Sequence, residues 1–301
     1  MPTDLPLTTR FTLGPAVTPE QRDFLEEHGF LLFSRVATSD EVAMLTSEME
    51  HIEAAWLAEG RSRVFGIPLF FGTDEHGRRF LQRLAFTSVF SDKVHAFVRD
   101  SRFAPILDLI GEGARIGDRE KDGVVFNRYL NVPGSVYPRL GWHTDGLRDL
   151  FYGRMPQEQL NIGLHLDRCR RDNGGLRLIP GSHRQGFWSM CFRKPYFVWH
   201  RDDPAEVCVE TEPGDLTVHD GRLWHRVARS SHTGAASLRR SMYLPYLTGP
   251  YEPKSEDSPT PAYHRVGEWL RGRRGAGSAL PPIDVRDRRV AVRNGHSKRR
   301  S

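Results

Sequence analysis

Cysteine is scarce in this chain. Three thiols in 301 residues, Cys169, Cys191 and Cys208, are too few and too irregularly spaced for a disulfide framework. They read as reduced thiols, and the expected compartment is the cytoplasm. No run of about 18 or more apolar residues is present, so no helix is expected to cross a membrane. Met1 to Gly14 has no apolar stretch ahead of a small-residue cleavage site, so no secretory signal is read there. No internal repeat is apparent, and the strand–helix–strand rhythm of a parallel sheet is missing. Basic surplus is also missing from most of the chain: ten of the 43 Lys/Arg but only two of the 38 Asp/Glu fall between Arg271 and Ser301. The net +5 therefore belongs to a Gly- and Pro-containing tail with few apolar residues, expected to be disordered and not to bind nucleic acid. The expected organisation is one domain over residues 1–270 and a basic tail over 271–301.

What is present falls into two textures. The first sixty residues read as helical. Thr18-Pro-Glu-Gln21 supplies an N-cap, a proline at the first helical position and a capping-box glutamine, and Gly29 ends that helix. Phe30-Leu-Leu-Phe33 is a short buried strand. Thr38-Ser-Asp-Glu41 repeats the capping box ahead of Val42, Leu45, Met49, Ile52 and Trp56 at helical spacing. A third helix is expected between Ser91 and Ile110. After Gly123, short β-branched and aromatic segments alternate with Gly, Pro, Asn and Asp turns. Strands are expected near 123–130, 139–143, 159–166, 175–179, 207–211, 215–219, 223–228 and 238–247. Eight short strands without crossover helices predict an all-β jelly roll under a helical N-terminal cover. The stretch 184–203 is longer than a normal strand connection and holds Phe187, Trp188, Phe192, Tyr196, Phe197 and Trp199. Such insertions are often lids or binding loops.

The chemistry is concentrated in Gly141-Trp-His-Thr-Asp-Gly146. On a strand, His143 and Asp145 would project from one face. An imidazole and a carboxylate so placed are two of the three ligands of the 2-His-1-carboxylate triad of non-haem iron(II). His165-Leu-Asp167 is a second copy of the tripeptide, so the spacing alone does not choose between them. Gly214-Asp-Leu-Thr-Val-His-Asp-Gly-Arg-Leu-Trp-His225 reads as a strand, a turn at Asp220-Gly221 and a returning strand, with His219 and His225 as rivals for the third ligand. Leu238-Arg-Arg-Ser-Met-Tyr-Leu-Pro-Tyr246 is a strand carrying two arginines. Arg239 and Arg240 face opposite sides, so only one can act as an inward guanidinium clamp for a carboxylate.

These elements, in this order, resemble the phytanoyl-CoA dioxygenase family. The family's W-H-x-D element stands here as Trp142-His-Thr-Asp145. Its N-G-x-L-x-x-x-P-G-S-H element is Asn173-Gly-Gly-Leu-Arg-Leu-Ile-Pro-Gly-Ser-His183. Its G-D followed by a histidine about ten residues on is Gly214-Asp215 through His225, and its arginine-bearing strand holds Arg239. The resemblance covers roughly residues 18–250. It implies a double-stranded β-helix (jelly roll, cupin-like), iron(II), 2-oxoglutarate and O₂. It further implies His143, Asp145 and His225 as metal ligands, Arg239 on the distal carboxylate, and hydroxylation of an unactivated C–H bond with release of succinate and CO₂. Asn127, on the strand before the His-x-Asp segment, is a second candidate contact for the ketoacid. The chain departs from the family where His-Gly-Ser is common: here the residues are His225-Arg-Val.

The expected partner is a small-molecule substrate, with no nucleic acid and no membrane, in a monomer or homodimer. Two other readings use the same residues differently. A zinc-dependent cupin-like hydrolase or isomerase also takes two His and one carboxylate, but has no use for the arginine strand. A catalytically silent jelly-roll binding protein has no use for an intact ligand set. Asp145 also speaks against a halogenase, in which a small residue replaces the carboxylate.

Overall fold

A computed structural model describes residues 4–197, 199–261 and 264. The tail expected at 271–301 lies outside the described residues. Local signals set the N-terminal elements. Helix α1 (Pro19–His28) carries both bonds of its capping box, Gln21 N–H to Thr18 Oγ1 at 3.2 Å and Thr18 N–H to Gln21 Oε1 at 3.0 Å. Gly29 ends it at φ 82°, and a Cβ there would lie 2.4 Å from His183 Nδ1. Only glycine meets both demands. Strand β1 (Phe30–Phe33) follows, then α2 (Ser39–Ala58), capped by Thr38 and burying Leu45, Met49, Ile52 and Trp56.

Five strands were not anticipated: the hairpin β2 (Arg63–Val64) and β3 (Ile67–Pro68), then β4 (Phe70–Thr73), β5 (Arg79–Leu84) and β6 (Arg115–Ile116). Arg79-Phe-Leu-Gln-Arg-Leu84 has no clean alternation; it pairs with β4 just before it and, at Arg83 and Leu84, with a strand more than forty residues on. The single helix expected over Ser91–Ile110 is instead α4 (Asp92–Val98), a 3-10 turn at Ser101–Phe103 and α5 (Ala104–Leu107), after the short α3 (Thr87–Phe90). Asp100 caps the Arg102 N–H at 2.9 Å, and Pro105 has no N–H to continue a longer helix.

The eight anticipated strands are all present. They are β7 (Val125–Tyr129), β8 (Leu140–His143), β9 (Gln159–His165), β10 (Gly175–Leu178), β11 (Val207–Cys208), β12 (Leu216–Asp220), β13 (His225–Ala228) and β14 (Arg239–Leu247). The larger sheet runs β1-β12-β9-β14-β7-β5-β4, with β6 on β14, and the smaller runs β11-β10-β13-β8. Among the described residues, all pairings between these strands are antiparallel.

Alternation gives the larger sheet two different faces. Phe126, Ile162, Leu164, Val218, Met242 and Leu244 point outward into the main core with α2, each fully buried. On that face Arg128 also reaches Glu53 of α2 at 2.6 Å. The residues between them point inward toward the smaller sheet, and polar side chains gather there: Tyr129, Asn161, His165, His219, Arg239 and Ser241. A sheet covered on both faces but polar on one is built around a site.

Candidate active site

His143 is the last residue of β8. Asp145 has already left the strand, at φ −71° and ψ −28°, and opens the 3-10 turn Gly146–Tyr152. The expectation that a strand pleat presents both side chains is therefore corrected. The turn returns Asp145 to the side of His143, and the Gly146 N–H pins it by donating to Gly221 O at 2.7 Å. The strand–turn–strand hairpin read across 214–225 is corrected as well. Strand β12 pairs with β1 and β9, whereas β13 pairs with β10 and β8, so the Asp220-Gly221 turn is a corner between sheets. The corner makes His225 the direct cross-strand partner of His143, with ring centroids 4.1 Å apart.

One ligand atom each from His143, Asp145 and His225 lies within 4.8 Å of the others. The Nδ1 atoms of His143 and His225 donate to Gly141 O at 2.8 Å and Leu223 O at 2.9 Å. Carbonyls only accept, so both Nε2 atoms keep their lone pairs free. Burial pushes His143 down to about 4 and His225 well below the usual histidine range, which keeps both rings neutral. Burial alone would raise Asp145, but His219, His225 and His143 around it hold the carboxyl well below its usual range. Asn161 Nδ2 donates to Asp145 Oδ2 at 2.8 Å. Two neutral imidazoles and an ionised, oriented carboxylate are the donor set that a divalent metal requires.

His219 also reaches this centre. It is fully buried, its Nε2 lies 3.7 Å from Asp145 Oδ2, and its ring lies 4.5 Å from that of His225. Neither ring nitrogen has a hydrogen-bond partner among the described residues. The sequence reading had His219 only as the rival of His225 for the third ligand, not as a neighbour of the completed triad. The parity of β12, which sends 217 and 219 inward together, was the available signal. His165 and Asp167 do not converge: His165 Nε2 meets Thr217 Oγ1 at 3.2 Å, and Asp167 takes the Arg240 guanidinium at 2.8 Å.

Farther along the inner face, Arg239 is buried, stacks over Tyr129 at 5.5 Å and donates from Nη1 to Ala228 O at 3.2 Å. Its Nε and Nη2 have no acceptor among the described residues. It lines a pocket with Tyr129, His165, Ser241 and Tyr243 from the larger sheet and Leu176 and Val227 from the smaller. Asn127 pairs in register with Ser241, so it shares that face. Gly174 sits at φ +87°, and a Cβ there would lie 2.7 Å from Arg239 Nη1. The Asn-Gly turn thus also clears space for the guanidinium.

The aromatic insertion divides in two. Helix α6 (Phe187–Phe192) leaves Trp188 71% and Phe192 77% exposed. The second half is bonded along β8, with the Phe197 N–H on Trp142 O at 2.8 Å and the Trp142 N–H on Trp199 O at 2.9 Å. Phe197, at φ 60°, stacks on His143 at 4.6 Å. Arg226, where the family often has glycine, binds Glu206, Asp202 and His200 O at 2.6–3.0 Å and so ties residues 200–206 to β13. His183 binds Glu26 O at 3.0 Å, fixing the Pro-Gly-Ser-His loop against α1.

Comparison with known proteins agrees with this geometry. The sequence pattern of the phytanoyl-CoA dioxygenase family matches residues 25–237. The chain is 23% identical over 236 residues to a probable alpha-ketoglutarate-dependent hypophosphite dioxygenase of Stutzerimonas stutzeri, covering 75% of this chain and 76% of that one. Its fold is similar to that of the non-heme alpha ketoglutarate dependent carbocyclase SnoK from nogalamycin biosynthesis, with a TM-score of 0.56, 19% identity and coverage of 80% and 88%. It is also similar to EvdO2 from Micromonospora carbonacea var. aurantiaca, solved in complex with 2-oxoglutarate, with a TM-score of 0.53, 19% identity and coverage of 82% and 96%. The chain belongs to the phytanoyl-CoA dioxygenase family of non-haem iron, 2-oxoglutarate-dependent dioxygenases, on the cupin-like double-stranded β-helix.

Proposed function

We propose that this dioxygenase hydroxylates an unactivated C–H bond of a small molecule, with His143, Asp145 and His225 holding iron(II) and Arg239 holding the distal carboxylate of 2-oxoglutarate. The observation that carries the reading is Arg239. A buried guanidinium with two nitrogens lacking acceptors is costly unless a ligand anion answers it, and a dicarboxylate in this pocket does so. A zinc hydrolase would leave that charge unused, and a silent binding protein would leave the ligand triad unused.

Bound iron supplies O₂ activation coupled to oxidative decarboxylation of the ketoacid. The chain supplies placement. Backbone carbonyls of Gly141 and Leu223 fix the two imidazoles, and Asn161 fixes Asp145. Ser241 and Asn127, side by side on neighbouring strands, offer further polar contacts beside Arg239. Phe197 shields the outer side of His143 from water. One related fold is a carbocyclase, so the outcome at the reacting carbon depends on how the substrate sits.

The test is succinate release from 2-oxoglutarate under air with iron(II), across pools of amino acids, aminoglycosides, polyketides and acyl thioesters. Anaerobic titration with 2-oxoglutarate, read by the visible charge-transfer absorption of the iron chelate, accompanies it. Succinate and the chelate band are expected together. Absence of both, with zinc-dependent hydrolysis in their place, sinks the reading.

A further inference from the structure

Besides Arg239, the inner face buries another group that the fold leaves unanswered, the His219 imidazole. It is 1% exposed, and neither ring nitrogen has a hydrogen-bond partner among the described residues. A neutral imidazole carries one N–H and one lone pair, and burying them is costly unless a ligand answers them. The residues around it are already committed. Of its register partners, Phe30 has no polar side chain, and the Asn161 amide donates to Asp145 at 2.8 Å. Thr217, two residues earlier on the same face, is bonded to Gly163 O at 3.3 Å and His165 Nε2 at 3.2 Å. Asp145 itself is beyond hydrogen-bond reach, with Oδ2 3.7 Å from His219 Nε2.

The surroundings of His219 point to one kind of ligand. The ligand atoms that lie within 4.8 Å of one another are those of His143, Asp145 and His225, and His219 is not among them. It borders the centre from the larger sheet, its ring 4.5 Å from that of His225, without joining the donor set. Tyr243 connects it to the cofactor end. That residue lines the Arg239 pocket, and its ring comes 6.3 Å from the His219 ring. It crosses the sheet at Gly163, where a Cβ would lie 2.5 Å from Tyr243 Cε1. Arg239, Tyr243 and His219 thus follow one another along a single face that ends beside the triad.

We propose that His219 binds 2-oxoglutarate, donating its N–H to the carboxylate at the end that meets the metal, while Arg239 takes the distal one. The inference rests on the reading of this chain as a 2-oxoglutarate oxygenase and adds a contact for its cosubstrate. A carboxylate oxygen accepts, and the buried histidine N–H has no other acceptor among the described residues. The metal keeps its three ligands, so His219 acts on cosubstrate affinity and not on iron affinity.

Two titrations separate these effects. Iron(II) affinity is measured by competition with a chelator, and 2-oxoglutarate is then titrated anaerobically into the iron-loaded full chain and read by the charge-transfer band. His219→Phe should bind 2-oxoglutarate about tenfold or more weakly, as expected for losing one hydrogen bond to a charged group, with iron(II) affinity within about twofold of wild type. The band maximum should move as well. His219→Gln, which keeps an N–H donor, should recover most of the loss. Levulinate has a methyl group in place of the carboxylate at the metal end, and its affinity, by competition, should be equal in wild type and His219→Phe. If His219→Phe fails to fold, wild type loaded with zinc(II) carries the test. The nitrogen NMR signal of the His219 ring, assigned with His219→Gln, should then move on adding 2-oxoglutarate and stay in place with levulinate. Equal 2-oxoglutarate affinity in wild type and His219→Phe overturns the proposal. So does a loss shared by levulinate, a ring signal that 2-oxoglutarate leaves in place, or iron(II) affinity that falls as far as in Asp145→Ala. Failure of wild type to bind 2-oxoglutarate would instead fail the parent reading, and the chelate band reports that separately.

Discussion

The two faces of the larger sheet share their backbone and differ in almost everything else. The outer face is apolar and packs on α2, and its side chains add stability in proportion to the area they remove from water. The inner face carries histidine, asparagine, tyrosine and arginine with several polar atoms unanswered by protein. Each unanswered atom costs stability. One face holds the fold together, and the other spends part of that stability on a site.

The sharpest way to break this contrast is to exchange the consequences. Asp145→Ala should abolish succinate formation while the unfolding midpoint stays at or above that of wild type, since a buried charge has been removed. Leu164→Ala on the outer face should cost about 2–5 kcal/mol by urea unfolding yet leave kcat per folded molecule near normal. Full turnover in Asp145→Ala would refute its assignment as a ligand.

The next effect concerns one strand. Arg239 faces inward and Arg240 pairs with Asp167 outside. Arg239→Ala should raise the KM for 2-oxoglutarate by an amount equivalent to roughly 2–5 kcal/mol, and Arg240→Ala should change it little. The reverse order would place the cofactor on the wrong face.

A smaller effect is pH-dependent. Burial pushes His165, on the inner face, down to about 4. Its folded value lies below its unfolded value, so the unfolded chain binds the extra proton as pH falls, and stability is lost from about pH 6.5 toward 4. Between pH 7 and 5 this amounts to about 2 kcal/mol. His165→Gln should therefore lose less stability than wild type over that interval, measured by urea midpoints. Parallel losses would show that His165 titrates normally.

The smallest effect is expected in α6. Trp188 is largely exposed, unlike Trp199, which packs against the Trp142 and Trp224 cluster. Trp188→Ala should change stability by no more than about 0.5 kcal/mol and leave succinate and product in the same ratio. Trp199→Ala should uncouple succinate from product, because Phe197 and Trp199 are bonded to Trp142 on the strand that carries His143. Uncoupling by Trp188 alone would show that α6 moves over the site when substrate binds.

Much of this was legible in the sequence because it depends on near neighbours. The capping boxes at Thr18 and Thr38, the left-handed Gly29 and the eight short strands are written in local chemistry, and the ordered motif elements marked His143, Asp145, His225 and Arg239 as candidates. The 91–110 segment was misread because a cap at Asp100 and a proline divide an otherwise helical pattern. Strands β4 and β5 were missed because neither shows a clean alternation; they pair with each other, and the larger sheet takes them in only through β7, more than forty residues beyond β5. The sequence by itself determined which faces could be apolar and which residues could bind a metal or a carboxylate. Only tertiary structure decided that Asp145 reaches the centre through a turn, that the 220–221 turn crosses between sheets, and that His219 stands beside the triad. Alternation along a strand is a short-range property, whereas the partner across the sheet is set by pairing between distant segments, which no local pattern encodes.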